Sequence, residues 1–234
     1  MKPLLLLSFI MIGCSNLLAQ DSTFITIKSG NKVEDVLSLA DIYYHPQFTT
    51  GKVFFKGGTT ATAKMNYNRL FDQMLFIDLN GDTLALAEEK TIKFIIIHRD
   101  TFFFDEGYIK LIADDGVVKL AEKQIWVVAD IRKTGSHNTS TSTVGITSVR
   151  AFRHGSEYSR NPNLALNEDI VLRKETQFYL GDEYNHFVRA SKKRLLQLFP
   201  KDQRSIGNYL KENKVDFNKK EDMEKLYQFV SKLY

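Results

Sequence analysis

The chain has 234 residues, a formal net charge of +4 and 43% hydrophobic residues, enough to bury a sizeable core without covalent staples. Its single cysteine, Cys14, excludes an intrachain disulfide, and so small a charge does not specify nucleic acid as a partner. No apolar run reaches the roughly 20 residues that a membrane-spanning helix needs.

Lys2, the apolar stretch Leu4 to Ile12 and the small-residue end Leu18-Ala19-Gln20 have the layout of a cleaved secretory peptide. Residues 1–20 are therefore expected to be removed near Ala19 or Gln20, leaving a chain exported to the periplasm, the outer surface or the medium. A second route stays open. Met11-Ile12-Gly13-Cys14 resembles a lipobox, and Ser15-Asn16 suits the residues after a lipidated cysteine, so Cys14 is the anchor if the protein is a lipoprotein. Removal of Cys14 also removes thiolate chemistry and cysteine metal sites.

Phe24 to Lys28 alternates as a strand and ends at the turn Ser29-Gly30-Asn31. Val33, Val36, Leu37 and Ala40 recur at helical spacing, and Pro46 closes that segment. Val53 to Phe55 is an apolar strand that stops at Gly57-Gly58. Ala61, Ala63, Met65 and Tyr67 then alternate with polar neighbours, and Gln73 to Asp78 continues the pattern. Asn80-Gly81 predicts a tight hairpin turn with φ > 0 at both central residues, and Leu84 and Leu86 begin the return strand.

Further strands are expected over Thr91 to His98, Thr101 to Phe104, Tyr108 to Ala113 and Gln124 to Ile131. In Phe94-Ile95-Ile96-Ile97 both faces are apolar, so something other than water must cover the sheet. Lys133 to Glu168 reads as long loops around one strand, roughly Val144 to Phe152. Strand character resumes over Asp169 to Arg173, Thr176 to Leu180 and His186 to Val188. Three helices close the chain. Ser191 caps the first, Ile206, Tyr209 and Leu210 stripe the second, and Asn213 ends it. Asn218 with Glu221 predicts a capping box for the third, whose stripe is Met223, Leu226, Tyr227, Val230 and Leu233.

The combination of HPQF, GKVFF, MNYN, MLFID and GDTLALA, with the stretch GSHNTSTSTVGITS and a helical end, resembles a family of exported Bacteroidota proteins without an assigned biochemical function. The resemblance covers most of the mature chain. It implies export and a shared architecture, and it carries no catalytic residues over. It also directs attention to Asp21-Ser22-Thr23 and Asp82-Thr83-Leu84, which resemble O-glycosylation sites of such proteins, with Ser22 and Thr83 as the acceptors.

His45, His98, His137, His154 and His186 show no paired metal-ligand spacing, and no nucleophile elbow, P-loop or dinucleotide fingerprint is present. Asp78-Leu79-Asn80-Gly81-Asp82 lacks the distal acid of a calcium loop and reads as a hairpin. Asn66 and Asn68 fall on one face of a strand, where asparagine is depleted, with Tyr67 on the other. Their amides either satisfy backbone groups at a bulge or turn, or form a polar binding patch. The basic residues of the C-terminal helices read as a solvated face, with anionic lipid or envelope polysaccharide as the other reading.

The expected fold is mainly β (α+β), an antiparallel meander of about eight to eleven strands, curved or barrel-like, with a short C-terminal helical cap. Residues 21–190 form the β-rich unit and 191–234 the helical segment packed on it. The expected function is a non-catalytic binding or structural module of the envelope, with polysaccharide, lipid or another envelope protein as partner and no cofactor. Two other functions remain open: a carrier holding a small apolar ligand between sheet and helices, and a hydrolase with a dispersed site.

Overall fold

Nearly every segment with alternating or doubly apolar character becomes a strand of one antiparallel sheet. The computed structural model describes residues 24–132, 147–149 and 168–234. Its strands are β1 (Phe24–Ile27), β2 (Thr49–Phe55), β3 (Thr60–Asn68), β4 (Gln73–Ile77), β5 (Thr83–Ala85) and β6 (Ile92–Ile97). They continue as β7 (Asp100–Phe104), β8 (Tyr108–Asp114), β9 (Lys119–Arg132), β10 (Thr147–Ser148), β11 (Asp169–Gly181) and β12 (Phe187–Arg189). The twelve run in the order β1-β11-β9-β8-β7-β6-β2-β3-β4-β5, with β10 added to β9 and β12 to β11. The sheet curves without closing. Two meanders, β2 to β5 and β6 to β9, meet where β6 returns to lie beside β2. The leader, the Ser/Thr-rich stretch, His137, His154 and most of the strand expected at Val144 to Phe152 lie outside the described residues.

Several expected boundaries shift, each for a local reason. β9 starts at Lys119 rather than Gln124, because the buried Lys119, Glu122 and Lys123 find charged partners instead of breaking the strand. β11 runs unbroken through Lys174 and Glu175, which pair in register with Trp126 and Ile125 of β9. The Asn80-Gly81 turn has positive φ at Gly81 alone (+91°). Asp78 supplies what the second left-handed residue would have: its carboxylate accepts from the amides of Asn80 (2.9 Å) and Asp82 (2.8 Å). The helix expected over Val33 to Ala40 is two single turns, α1 (Val33–Val36) and α2 (Leu39–Ile42). Ser38 sits extended between them and caps the second.

The C-terminal helices are α3 (Lys192–Leu198), α4 (Gln203–Glu212) and α5 (Lys220–Ser231). Ser191 accepts from the Arg194 amide at the start of α3, and Asn213 donates to the Tyr209 carbonyl at the end of α4. The capping box at Asn218 does not form. Lys219 takes the N-cap position with no side-chain cap, and Asp222 instead reaches back to the Asp216 amide at 2.9 Å.

Strand alternation assigns the two faces of β9 and β11 different work. On one face Val118, Leu120, Phe178 and Leu180 join Leu195, Phe199, Ile206, Leu210, Met223, Leu226 and Val230 in a single cluster beneath the helices. Further along that face Trp126, Val128 and Leu172 pack with Ile27 and with α1 and α2. The opposite face carries Ala121 and Tyr179, packed with Phe103, Ile109 and Phe187. No helix among the described residues is long and apolar enough to cross a membrane.

Candidate functional site

The face opposite the helices is where polar side chains gather. In β11 the residues Arg173, Glu175, Gln177 and Tyr179 follow one another at period two, so all project to that face. Gln177 is paired with Lys123 of β9, and Ile125 and Val127 continue the β9 side. Phe187 and Arg189 of β12, Arg194 of α3 and the β7–β8 turn at Asp105 and Glu106 complete a cleft of about 780 Å³.

Its groups are fixed before any ligand arrives. The Glu175 carboxylate takes Arg173 on one oxygen (3.0 Å), and Gln177 (2.8 Å) and Arg189 (3.1 Å) on the other. The Tyr179 hydroxyl donates to the Gln177 amide oxygen at 3.2 Å, and burial pushes this phenol up to about 12. The Arg194 guanidinium makes no ion pair among the described residues. The floor is apolar (Ile125, Val127) and one wall is aromatic (Tyr179, Phe187).

Below the cleft lies a buried pair. Lys123 Nζ is 2.6 Å from Asp72 Oδ2 and donates to the Glu106 carbonyl at 3.1 Å. Asp72 Oδ1 accepts from the Tyr67 hydroxyl (2.8 Å) and the Tyr108 amide (3.1 Å). This network ties the β3–β4 turn, the β7–β8 turn and β9 together and sets the position of the cleft's acidic lip. Partial desolvation raises the Asp105 carboxyl on that exposed lip from its ordinary value, with Glu106 adding to the shift against Lys123 and Arg194.

A raised carboxyl pKa means that ionisation costs the folded state stability. The penalty is absent below the unfolded pKa and complete above the folded one. Asp105→Asn should therefore raise the melting temperature at about pH 7, and the gain should vanish towards about pH 3. A gain of equal size at both pH values would show that the charge is not its source.

The sequence-derived candidates are placed elsewhere. Asn66, Tyr67 and Asn68 form no surface patch, being 1%, 2% and 5% exposed. The Asn66 amide accepts from the His45 amide nitrogen and donates to the His45 carbonyl, while Asn68 accepts from the amides of Leu70 and Phe71. Both asparagines thus serve the backbone, and Tyr67 belongs to the Asp72 network. Thr83 is exposed on the edge strand β5, open to modification; Ser22 and Cys14 lie outside the described residues. Among the described residues no three His, Cys, Asp or Glu side chains are grouped to hold a metal ion.

A second polar cluster lies on the opposite face. Lys110 Nζ donates to the Tyr44 hydroxyl at 2.6 Å and meets Glu122 at 3.0 Å, and His45 Nε2 is 3.7 Å from Asp100. Burial alone would lower Lys110, but Tyr44 and Glu122 reverse this and raise it. Its groups are directed at one another. The seam between sheet and helices is filled as well: Leu120, Leu180, Leu195, Ile206, Leu226 and Val230 are fully buried where an apolar ligand would lie.

Sequence reasoning missed the cleft although one signal for it was present. Arg173, Glu175, Gln177 and Tyr179 alternate on a strand whose other face holds Leu172, Phe178 and Leu180, a polar stripe on an internal strand. The partners from β9, β12 and the β7–β8 turn have no linear signature. No family model, curated protein or solved structure matches this chain.

Proposed function

We propose that this protein is an exported, non-catalytic module of the cell envelope that holds a hydroxyl-rich ligand, a saccharide, in the cleft. The observation that carries the reading is the prearranged polar set of Glu175, Gln177 and Arg189 over an apolar and aromatic floor. Sugars present hydroxyls around a ring whose faces are C–H rich. Planar carboxylate, amide and guanidinium groups suit the former, and Ile125, Val127 and the Tyr179–Phe187 wall suit the latter. Side chains that hold one another in place lose little entropy on binding.

Glu175 has donors on both oxygens, the arrangement of a fixed acceptor rather than a proton-transfer group. Export rests on the leader-like layout of residues 1–20 and on the resemblance to exported Bacteroidota proteins. A filled seam beneath the helices favours the cleft over an apolar carrier site.

Titration of ¹⁵N-labelled residues 21–234 with neutral and acidic disaccharides should shift amides of β9, β11 and β12 around the cleft. Gln177→Ala and Arg189→Ala should each weaken binding about tenfold, near 1.4 kcal/mol. The saccharide should be recovered intact. Cleaved product would replace the binding reading with an enzymatic one, and shifts confined to other faces would remove the cleft from consideration.

A further inference from the structure

Five neighbouring strands, β4, β3, β2, β6 and β7, turn an uncovered surface to solvent, and register shows which residues make it. Residues opposed in register share a face of the sheet. Lys52 of β2 is opposed by Thr62 of β3 and Ile96 of β6, Phe54 by Thr60 and Phe94, and Thr50 by Lys64. Lys64 in turn meets Ile77 of β4, and Ile96 meets Thr101 of β7. The alternate residues of these strands, among them Val53, Met65, Met74, Ile95 and Phe102, are buried together in one cluster. The curved sheet wraps that cluster, so Lys52 and its neighbours lie on the outer side. None of them lines the cleft, and the filled cluster of Phe103, Ile109 and Ala121 separates the two.

The composition of this surface is one-sided. Its opposed positions hold Thr, Lys, Phe and Ile, with no Asp or Glu among them. Lys52 and Lys64 are exposed, as are Lys56 just beyond β2 and Lys93 near the start of β6. Acids near in the chain stand at the rim, Asp78 and Asp82 in the β4–β5 turn and Glu88 and Glu89 before β6, while Asp100 faces the other way beside Ile97. Phe54 and Phe94 are partly exposed and stack on each other at 4.5 Å and 28°. Lys52 Nζ stands 5.0 Å from the Phe54 ring and Lys93 Nζ 6.0 Å from the Phe94 ring. Phe54, Ile77 and Ile96 pack into none of the buried clusters of the described residues. At about 4.8 Å per strand the surface is about 19 Å across.

We propose that this surface docks the protein on an anionic phospholipid bilayer, with the four lysines at headgroup level and the Phe54–Phe94 pair against the acyl boundary. Charge decides the partner. Lysines without neighbouring carboxylates are drawn to the negative surface of a bilayer, and each one adds to the attraction. Their long stems lie beside the rings while the ammonium groups reach the phosphates, as at other membrane interfaces. A protein partner matches less well. Protein interfaces favour Arg and disfavour Lys, and the opposed positions hold no arginine. The docking surface does not depend on the saccharide reading of the cleft.

The test is co-sedimentation of residues 21–234 with phosphatidylglycerol–phosphatidylcholine vesicles and with pure phosphatidylcholine vesicles. The protein should sediment with the anionic vesicles alone and be released by salt. Lys52→Glu with Lys64→Glu, both exposed, should weaken partitioning about tenfold or more, and Lys192→Glu with Lys193→Glu, on α3, by less than about twofold. Phe54→Trp locates the contact. Its added emission should be quenched by brominated phosphatidylcholine in the anionic vesicles, while Trp126, the single native tryptophan and fully buried, should not be. Equal sedimentation with both vesicles would overturn the charge-based assignment. An equal or larger loss from the α3 pair, or an unquenched Phe54→Trp, would overturn this face as the docking surface. No sedimentation with either vesicle would overturn the proposal outright and leave the cleft reading untouched.

Discussion

Asp72→Ala should destabilise the fold by about 3–5 kcal/mol, the cost of leaving one member of a buried ion pair uncompensated. Asp72 and Lys123 are each 6% exposed, and their charged atoms approach to 2.6 Å. Removing the carboxylate strands the Lys123 ammonium and takes an acceptor from the Tyr67 hydroxyl and the Tyr108 amide. Equilibrium unfolding in urea reads the loss directly, and Lys123→Met in the same background should restore part of it because the stranded charge is then gone. Gly107 offers an independent probe. It has φ +122°, and a Cβ there would overlap both Asp72 and Lys123, so Gly107→Ala should strike the same network through the backbone. If Asp72→Ala costs less than about 1 kcal/mol, as exposed pairs do, the network does not hold the cleft's acidic lip.

What the sequence revealed and what it concealed divide along a physical line. Local chemistry was legible. An apolar run located β2, period-two runs located β3 and β4, Ser191 marked the start of α3, and the all-apolar Phe94 to Ile97 called for cover over one face of the sheet. Properties that depend on a distant partner were not. Lys119 to Lys123 resembles a polar connection until Asp114, Glu122's partner Lys110 and Asp72 are placed against it. Asn66 and Asn68 left two readings open, backbone groups satisfied at a bulge or turn and a polar binding patch, because asparagine that departs from its depletion in strands has two causes. Only the three-dimensional position of the His45 backbone and the following turn distinguishes them. The cleft is set by the register of β9, β11 and β12, which are far apart in the chain. Pattern within one strand could reveal at most its β11 side.

The other large effect is expected at Leu226, where truncation to alanine should cost about 2–5 kcal/mol. The side chain is fully buried in the cluster that α5 shares with Leu120 of β9 and Phe178 and Leu180 of β11. Each such side chain stabilises by roughly 1.5–3 kcal/mol on burial, and truncation adds the cost of the cavity left behind. Lys225→Ala, one residue earlier and exposed, should be near neutral and serves as the control. Two outcomes separate a docked segment from a detachable tail. If α5 is part of the sheet's cover, Leu226→Ala should lower the stability of the whole protein in one cooperative transition, since Val118 and Leu120 lose their packing with it. If α5 were an independent tail, limited proteolysis would release it near Lys219 and Lys220 while the β-sheet kept its full stability. The first outcome also bears on the cleft. β9 and β11 form its floor on one face and seat α5 on the other, so loosening the helices should weaken ligand binding without any contact to the ligand.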